Sequence, residues 1–82
     1  NYICLIPSGS VLNKEEQFGK YVSFFSVGED VTGLTLNGFK YPLLNYHLKV
    51  KDSGLTVSNE IAEETAEVIY KMGTLMMIMS RD

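Results

Sequence analysis

Short segments of alternating apolar and polar residues, separated by turn-forming residues, are the feature that most constrains how this chain can fold. Clear examples are residues 2–6, 21–27 and 31–37, and turn chemistry at residues 7–10 and 28–30 follows two of them. Strands that recur at a spacing of about 8–12 residues are typical of sandwiches and small barrels. The sequence therefore predicts an all-β fold, a small antiparallel β-sandwich or jelly-roll-like barrel of about seven short strands.

Further strands are predicted at residues 11–12, 46–50, 55–57, 65–70 and 74–80. Gly33 interrupts its strand and is predicted to mark a bulge or a close approach of the backbone. Residues 71–73 are predicted to form a hairpin turn. Residues 59–72, "NEIAEETAEVIYKM", also permit a helix, but the alternation from Thr65 to Tyr70 favours a strand.

The last strand, "TLMMIMS", is apolar on both faces, with Met77 and Met79 on one and Met76 and Ile78 on the other. Such a strand is either central in a sandwich or has one face covered by another subunit or domain. Both interpretations remain open at this point.

Composition limits the function classes. The chain has 82 residues, 45% of them apolar and 21% charged, as in a single soluble domain. The net charge of -3 comes with scattered Lys and Arg, which argues against nucleic-acid or anionic-membrane binding. No membrane-length apolar run or signal peptide is evident. The lone Cys4 fits a reducing cytoplasm, and the initial Asn1 suggests a processed chain or an excised fragment.

Catalytic groups are not apparent, and no catalytic residue is predicted. Gly33 and Gly38 do not precede a helix, so they do not form a phosphate-binding loop. His47 has no neighbouring cluster of ligands and is expected to be an ordinary strand residue. Cys4, between Ile3 and Leu5, is expected to be a small buried apolar residue.

Several glutamates are candidate Mg²⁺ ligands, since this ion prefers carboxylates and phosphates. A strand-and-turn arrangement distributes these carboxylates over both faces, and a solvated surface accounts for them equally well. No metal site and no bound cofactor are therefore predicted in this chain. The residues concerned are Glu60, Glu63, Glu64 and Glu67, whereas Glu15 and Glu16 are expected to form a solvated turn beside Lys14.

Two polar segments are candidates for binding. Ser58 and Asn59 follow a short predicted strand; a turn is favoured, and recognition of a heterocycle's donors and acceptors is the alternative. The segment "GLTLNGFKYPL", residues 33–43, loses its alternation at Gly38. It is either a corner with a backbone fixed by Pro42 or a wall in which Tyr41 offers a flat face to a ring.

Taken together, these blocks resemble the C-terminal, thiamine-binding domain of bacterial thiamine pyrophosphokinases over essentially the whole chain. The residues that carry the resemblance are "YVSFF" (21–25), "VTGLTLNGFKYPL" (31–43), "LTVSNE" (55–60) and the closing strand with "SRD" (80–82). The blocks "GFKYPL" and "VSNE" in tandem are fairly specific, and "IAEETAEV" matches only loosely.

The resemblance implies that residues 1–82 form one thiamine-binding and dimerising domain, lacking an N-terminal α/β domain. The parent enzyme would transfer pyrophosphate from ATP to thiamine, giving thiamine diphosphate and AMP. The missing domain would bind Mg²⁺ and ATP. The expected partners are thiamine, that N-terminal domain and a second copy in a homodimer, in a bacterial cytoplasm. The fragment alone is expected to be inactive.

The resemblance also assigns site residues. Ser58 and Asn59 are expected to hydrogen-bond the aminopyrimidine of thiamine, and Tyr41 to pack on the substrate across the dimer. Animal relatives have Trp at the position of Tyr41, so the ring face is kept with weaker stacking on a cation. Gly38 and Lys40 match the family without an assigned contact. The alternative hypothesis is a non-enzymatic β-sandwich module for interaction or oligomerisation.

Overall fold

The computed structural model describes residues 2–16, 19–51 and 58–81, and seven strands lie in these ranges. A short 3-10 turn at Lys14–Glu16 lies where Glu15 and Glu16 were expected to form a solvated turn. The predicted strand at residues 55–57 lies outside the described residues. The strands are β1 (Tyr2–Ile6), β2 (Ser10–Asn13), β3 (Tyr21–Ser26), β4 (Val31–Asn37), β5 (Leu43–Leu48), β6 (Thr65–Ile69) and β7 (Leu75–Ser80).

The strands form two sheets, one with the order β1-β7-β3 and the other with the order β2-β6-β4-β5. All described strand pairs are antiparallel. The sheets are separate and do not close into a barrel. The predicted all-β sandwich is therefore confirmed in its sandwich form.

The predicted hairpin at residues 71–73 is wrong, because β6 and β7 belong to different sheets. The segment crosses between the sheets and pairs with the start of β4 instead. The Lys71 N–H donates to the carbonyl of Thr32 at 2.8 Å, and the Thr32 N–H donates to that of Met72 at 3.0 Å. Turn residues mark where a chain reverses, but they do not determine which strand it joins next.

Inward-facing apolar residues from both sheets form one core. On β7, Leu75, Met77 and Met79 are buried, while Met76 and Ile78 face the other way. This strand is central in its sheet, but only one of its faces is buried in the monomer, so the structure leaves open whether another subunit covers the other face. Full burial of such side chains stabilises the fold by about 1.5–3 kcal/mol each.

Gly33 forms the predicted bulge in β4. The register against β5 shifts between Val31 and Leu34, and Gly33 has a φ of 66°. The extra residue lets Val31 and Leu34 both reach the core although they are three positions apart.

Strand β5 begins at Leu43, earlier than the predicted Tyr46, and ends at Leu48. Leu43 pairs with Leu36 on β4. Asn45 has a φ of 51°, which is uncommon outside glycine and breaks the alternation within the strand. The pattern that sequence analysis detects therefore starts only after Asn45.

Candidate functional site

The chain turns a corner at residues 38–42, between β4 and β5. Gly38 has a φ of 82°, and a Cβ at this position would lie 2.5 Å from the carbonyl oxygen of Thr65. The Gly38 carbonyl accepts hydrogen bonds from the N–H groups of Ala62 and Glu63. The buried Phe39 packs edge-on against Phe24, with ring centroids 5.6 Å apart. The corner is thus fixed to the core just before Tyr41.

Residues 59–61 connect this corner to the other sheet. The backbone of Asn59 exchanges two hydrogen bonds with Val22 on β3, at 2.8 and 2.9 Å. On the other side of the segment, the carbonyl of Glu60 accepts a hydrogen bond from the N–H of Lys40 at 2.8 Å. Ile61, which is buried, pairs with Phe39.

The side-chain amide of Asn59 extends the backbone pairing between Lys40 and Glu60 by one residue, to Tyr41. Its Oδ1 accepts the N–H of Tyr41 at 2.9 Å, and its Nδ2 donates to the carbonyl of Tyr41 at 2.8 Å. Oδ1 also accepts the N–H of Glu60 at 2.9 Å. Asn59 is only 3% exposed. A buried amide with these partners is costly to remove, by about 1–3 kcal/mol for the groups left unpaired.

This bonding limits what Asn59 can offer to a ligand. An amide oxygen has two lone pairs and an amide nitrogen has two N–H donors. Both lone pairs of Oδ1 are used, and one N–H of Nδ2 is used. Asn59 can therefore act toward a ligand as a donor, through its second N–H.

Tyr41 presents its ring to solvent, with 56% of the residue exposed. The Nζ of Lys40 lies 5.5 Å from the ring centroid, within the range of a cation–π interaction, and 3.6 Å from Oε2 of Glu60. The phenol of Tyr41 and the carboxylate of Glu60 raise the pKa of Lys40 above its ordinary value. An ammonium group therefore stands against the ring at neutral pH.

Ser58 is exposed and has a φ of 56°, in the left-handed region that favours glycine. Its N–H donates to Oγ of Ser23 on β3 at 2.9 Å. Residues held in such conformations are frequent at binding and active sites, where the surrounding structure fixes them.

The structure thus brings two of the three predicted site residues into direct contact, and Ser58 is next to them in the chain. Whether the three bind thiamine stays a prediction. Sequence reasoning missed Ser23, Phe39 and the Lys40–Glu60 pair, which support the corner. The apolar Phe39 between Gly38 and Lys40 was the available signal for an anchor.

The remaining candidate residues of the sequence lie away from this corner. His47 is on β5, exposed, and its Nε2 lies 2.9 Å from Oδ2 of Asp30. Cys4 is half-buried and packs against the core. Glu67 accepts a hydrogen bond from Asn37 at 3.3 Å. Within residues 2–16, 19–51 and 58–81, no group of three or more His, Cys, Asp or Glu side chains is arranged to hold a metal ion.

An open cleft of about 580 Å³ lies between β1 and β2, at one edge of the sandwich. Its lining includes Tyr2, Cys4, Val11 and the core residues Met77 and Met79, but none of the three predicted site residues. Its polar lining comes from Ser10, Asn13 and Glu16, and the Nδ2 of Asn13 donates to Oε1 of Glu16 at 2.6 Å.

No helix in the described ranges is long and apolar enough to cross a membrane.

Fold and site together define a small β-sandwich domain with an exposed ring and hydroxyl at a corner that joins its two sheets. A protein-family model described as "Thiamin pyrophosphokinase, vitamin B1 binding domain" matches residues 2–75. The chain belongs to this family, which confirms the predicted resemblance.

Known relatives agree with this assignment. The thiamine pyrophosphokinase of Bacillus subtilis (strain 168) is 38% identical over 82 residues, which are 100% of this chain and 38% of that protein. The crystal structure of a thiamine pyrophosphokinase from Bacillus subtilis matches 98% of this chain and 37% of its own, with a TM-score of 0.87 and 40% identity.

A second crystal structure, of a thiamin pyrophosphokinase from Geobacillus thermodenitrificans, matches with a TM-score of 0.80 and 35% identity. This chain is covered to 98% and that chain to 37%. The chain therefore spans well under half the length of these relatives. The match favours a thiamine-binding domain over the non-enzymatic interaction module.

Proposed function

We propose that the chain serves as the thiamine-binding and dimerisation domain of a bacterial, cytoplasmic thiamine pyrophosphokinase. The parent enzyme transfers pyrophosphate from ATP to the hydroxyl of thiamine and releases AMP. An upstream α/β domain, lying before residue 1 of this sequence, binds Mg²⁺ and ATP. The contact between the Tyr41 backbone and the Asn59 side chain is the observation that carries the proposal. It joins the two sequence blocks that define the proposed site.

Each residue of the site has a separate role in this proposal. The ring of Tyr41 packs on the substrate, a flat cation suited to an electron-rich face. The hydroxyl of Ser58 both donates and accepts hydrogen bonds, which suits the amino group and ring nitrogens of an aminopyrimidine. The remaining N–H of Asn59 donates to a ring nitrogen.

Catalysis by the parent enzyme needs this domain for positioning. Phosphoryl-type transfer depends mainly on alignment of donor and acceptor and on stabilisation of charge. A domain that fixes the acceptor hydroxyl therefore contributes to the rate without a catalytic group of its own. For the same reason the isolated domain is expected to be inactive.

The proposed homodimer forms through the outer face of the β1-β7-β3 sheet. Two rows of residues cross this face in register: Leu5, Met76 and Phe25 in one, and Ile3, Ile78 and Ser23 in the other. Ile3 and Leu5 are 59% and 64% exposed. Contiguous apolar surface of this kind is typical of an interface.

Two substitutions of Ser58 test the site. Ser58→Gly removes the hydroxyl and suits the left-handed backbone, whereas Ser58→Ala removes the hydroxyl and keeps the strain. Calorimetry of the full-length protein with thiamine should show a similar loss of affinity for both, about tenfold for one hydrogen bond to a cationic ligand. Thermal melting should show Ser58→Gly at least as stable as wild type.

Unchanged thiamine affinity in both Ser58 variants would remove Ser58 from the site. A loss in Ser58→Ala alone, together with a lower melting temperature, would assign the effect to the backbone.

A further inference from the structure

The amide of Asn59 occupies the place of a neighbouring strand beside Tyr41. In an antiparallel pair, one residue exchanges both its N–H and its carbonyl with its partner. Here the two backbone groups of Tyr41 are bound by the Oδ1 and Nδ2 of one side chain, at 2.9 and 2.8 Å. The backbone pairing along this edge ends one residue earlier, where Lys40 donates to Glu60.

The support for this amide comes from the opposite sheet. The backbone of Asn59 is bound in both directions to Val22 on β3, and its Oδ1 is further fixed by the N–H of Glu60. Burial of the side chain keeps water from competing for these bonds. The position of Tyr41 is therefore set by both sheets, through Phe39 before it and Asn59 beside it.

We propose that Asn59 is a positioning residue, which acts on thiamine mainly by holding the backbone of Tyr41 so that its ring stands at a fixed place beside the site. The inference rests on the proposed function, because it needs Tyr41 to contact thiamine. It assigns to Asn59 a role beyond direct hydrogen bonding of the substrate. Three of the four hydrogen-bonding positions of the amide serve the protein itself.

A double-mutant cycle in the full-length enzyme tests this role. The KM for thiamine is measured for Asn59→Ala, Tyr41→Ala and the double variant. Tyr41→Ala should raise KM about tenfold, through loss of the ring contact with a cation. If Asn59 acts through Tyr41, Asn59→Ala should raise KM severalfold in the wild-type enzyme. In the Tyr41→Ala enzyme the same change should raise KM by no more than about twofold, because the effects of mutations at residues in contact are not additive.

Ser58→Ala provides the matched control. Ser58 lies beside Asn59 in the chain but has no hydrogen bond to Tyr41 within the described part of the chain. Ser58→Ala should therefore raise the KM for thiamine by the same factor in the wild-type enzyme and in the Tyr41→Ala enzyme. In all variants kcat should change less than KM. If Asn59 had a merely structural role, Asn59→Ala would instead lower the fraction of folded enzyme equally in the wild-type and the Tyr41→Ala enzymes. If Asn59→Ala does not fold, Asn59→Asp replaces it in the cycle. Asp keeps an acceptor for the N–H of Tyr41 and loses the Nδ2 donor to the carbonyl of Tyr41.

The outcomes separate the inference from the proposed function. If Tyr41→Ala raises KM and the Asn59 factor is the same in both backgrounds, the positioning role is overturned and the site stands. If Tyr41→Ala leaves KM unchanged, the ring is not part of the site, and the positioning role fails with it.

Discussion

At the scale of single residues, the charge beside Tyr41 sets a constraint on any ligand that stacks there. Lys40 lies over the ring as an ammonium group, and the phenol of Tyr41 and the carboxylate of Glu60 raise its pKa further above the ordinary value. A cationic substrate must therefore share the ring with an ammonium group or displace it. Glu60, 3.6 Å from Lys40, offers the displaced ammonium a second partner.

Replacing Lys40 by Met should strengthen thiamine binding. The change removes a like charge from the ring face, so KM should fall by about two- to fivefold, the size of an exposed cation–π interaction. Lys20→Met is the matched control, since Lys20 also lies 5.5 Å from the centroid of a ring, that of Tyr21. Lys20→Met removes a positive charge and a cation–π contact at a position away from the site, so the KM for thiamine should not change. A rise in KM for Lys40→Met would mean that Lys40 helps to hold the substrate.

At the scale of structural elements, the corner between β4 and β5 depends on Gly38. Gly38→Ala should destabilise the protein by at least about 2 kcal/mol, since it adds a left-handed backbone cost to a clash with Thr65. Gly28→Ala is the control: its φ is 79°, but no atom lies within 4 Å of the added Cβ. It should lose about 1 kcal/mol, the backbone cost alone. Urea unfolding measures both, and equal losses would contradict a packed corner.

Strand positions could be predicted because alternation reports which residues face the core. The bounds of β1 and β4 agree with the prediction, and Gly33 marked its bulge. Alternation says nothing about sheet membership, so the crossing at residues 71–73 was mistaken for a hairpin. In the site, Tyr41 and Asn59 were named together by family resemblance. Their mutual hydrogen bonds join positions 18 residues apart in the chain, which no local pattern encodes.

The Asp30 carboxylate ties the start of β4 to the end of β5. Its Oδ2 lies 2.9 Å from Nε2 of His47, and its Oδ1 accepts the N–H of Val50 at 2.9 Å. The hydrogen bond with His47, followed by that from Val50, lowers the pKa of Asp30 below its ordinary value of 3.8. A lowered pKa in the folded state means that the ionised carboxylate stabilises the fold above pH 3.8. That contribution is lost as pH falls through the lower, folded-state pKa.

Asp30→Asn should therefore be less stable than wild type at pH 6, by a small amount because both side chains are largely exposed. The difference should shrink as the pH is lowered below 3.8. Glu29→Gln removes the same charge one residue away and should show a smaller difference at pH 6. Thermal melting across the pH range measures these effects. A difference that grows toward acid pH would have the wrong sign.

At the scale of the whole molecule, the proposed site borders the proposed dimer face. Ser23 lies in the outer row with Ile3 and Ile78, and its Oγ accepts the N–H of Ser58. A second copy covering this face would therefore approach Ser58.

A charge introduced at Leu5 should dissociate that dimer. Leu5 is 64% exposed, so Leu5→Lys leaves the core of the monomer intact and places an unpaired charge in the interface. Leu44→Lys is the matched control, because Leu44 is 85% exposed on the other sheet. Sedimentation velocity of the full-length protein should give a dimer for wild type and Leu44→Lys and a monomer for Leu5→Lys. If the dimer forms over the outer face and Tyr41 acts across it, thiamine KM should rise in Leu5→Lys as well. A dimeric Leu5→Lys with normal KM would place the interface on another surface.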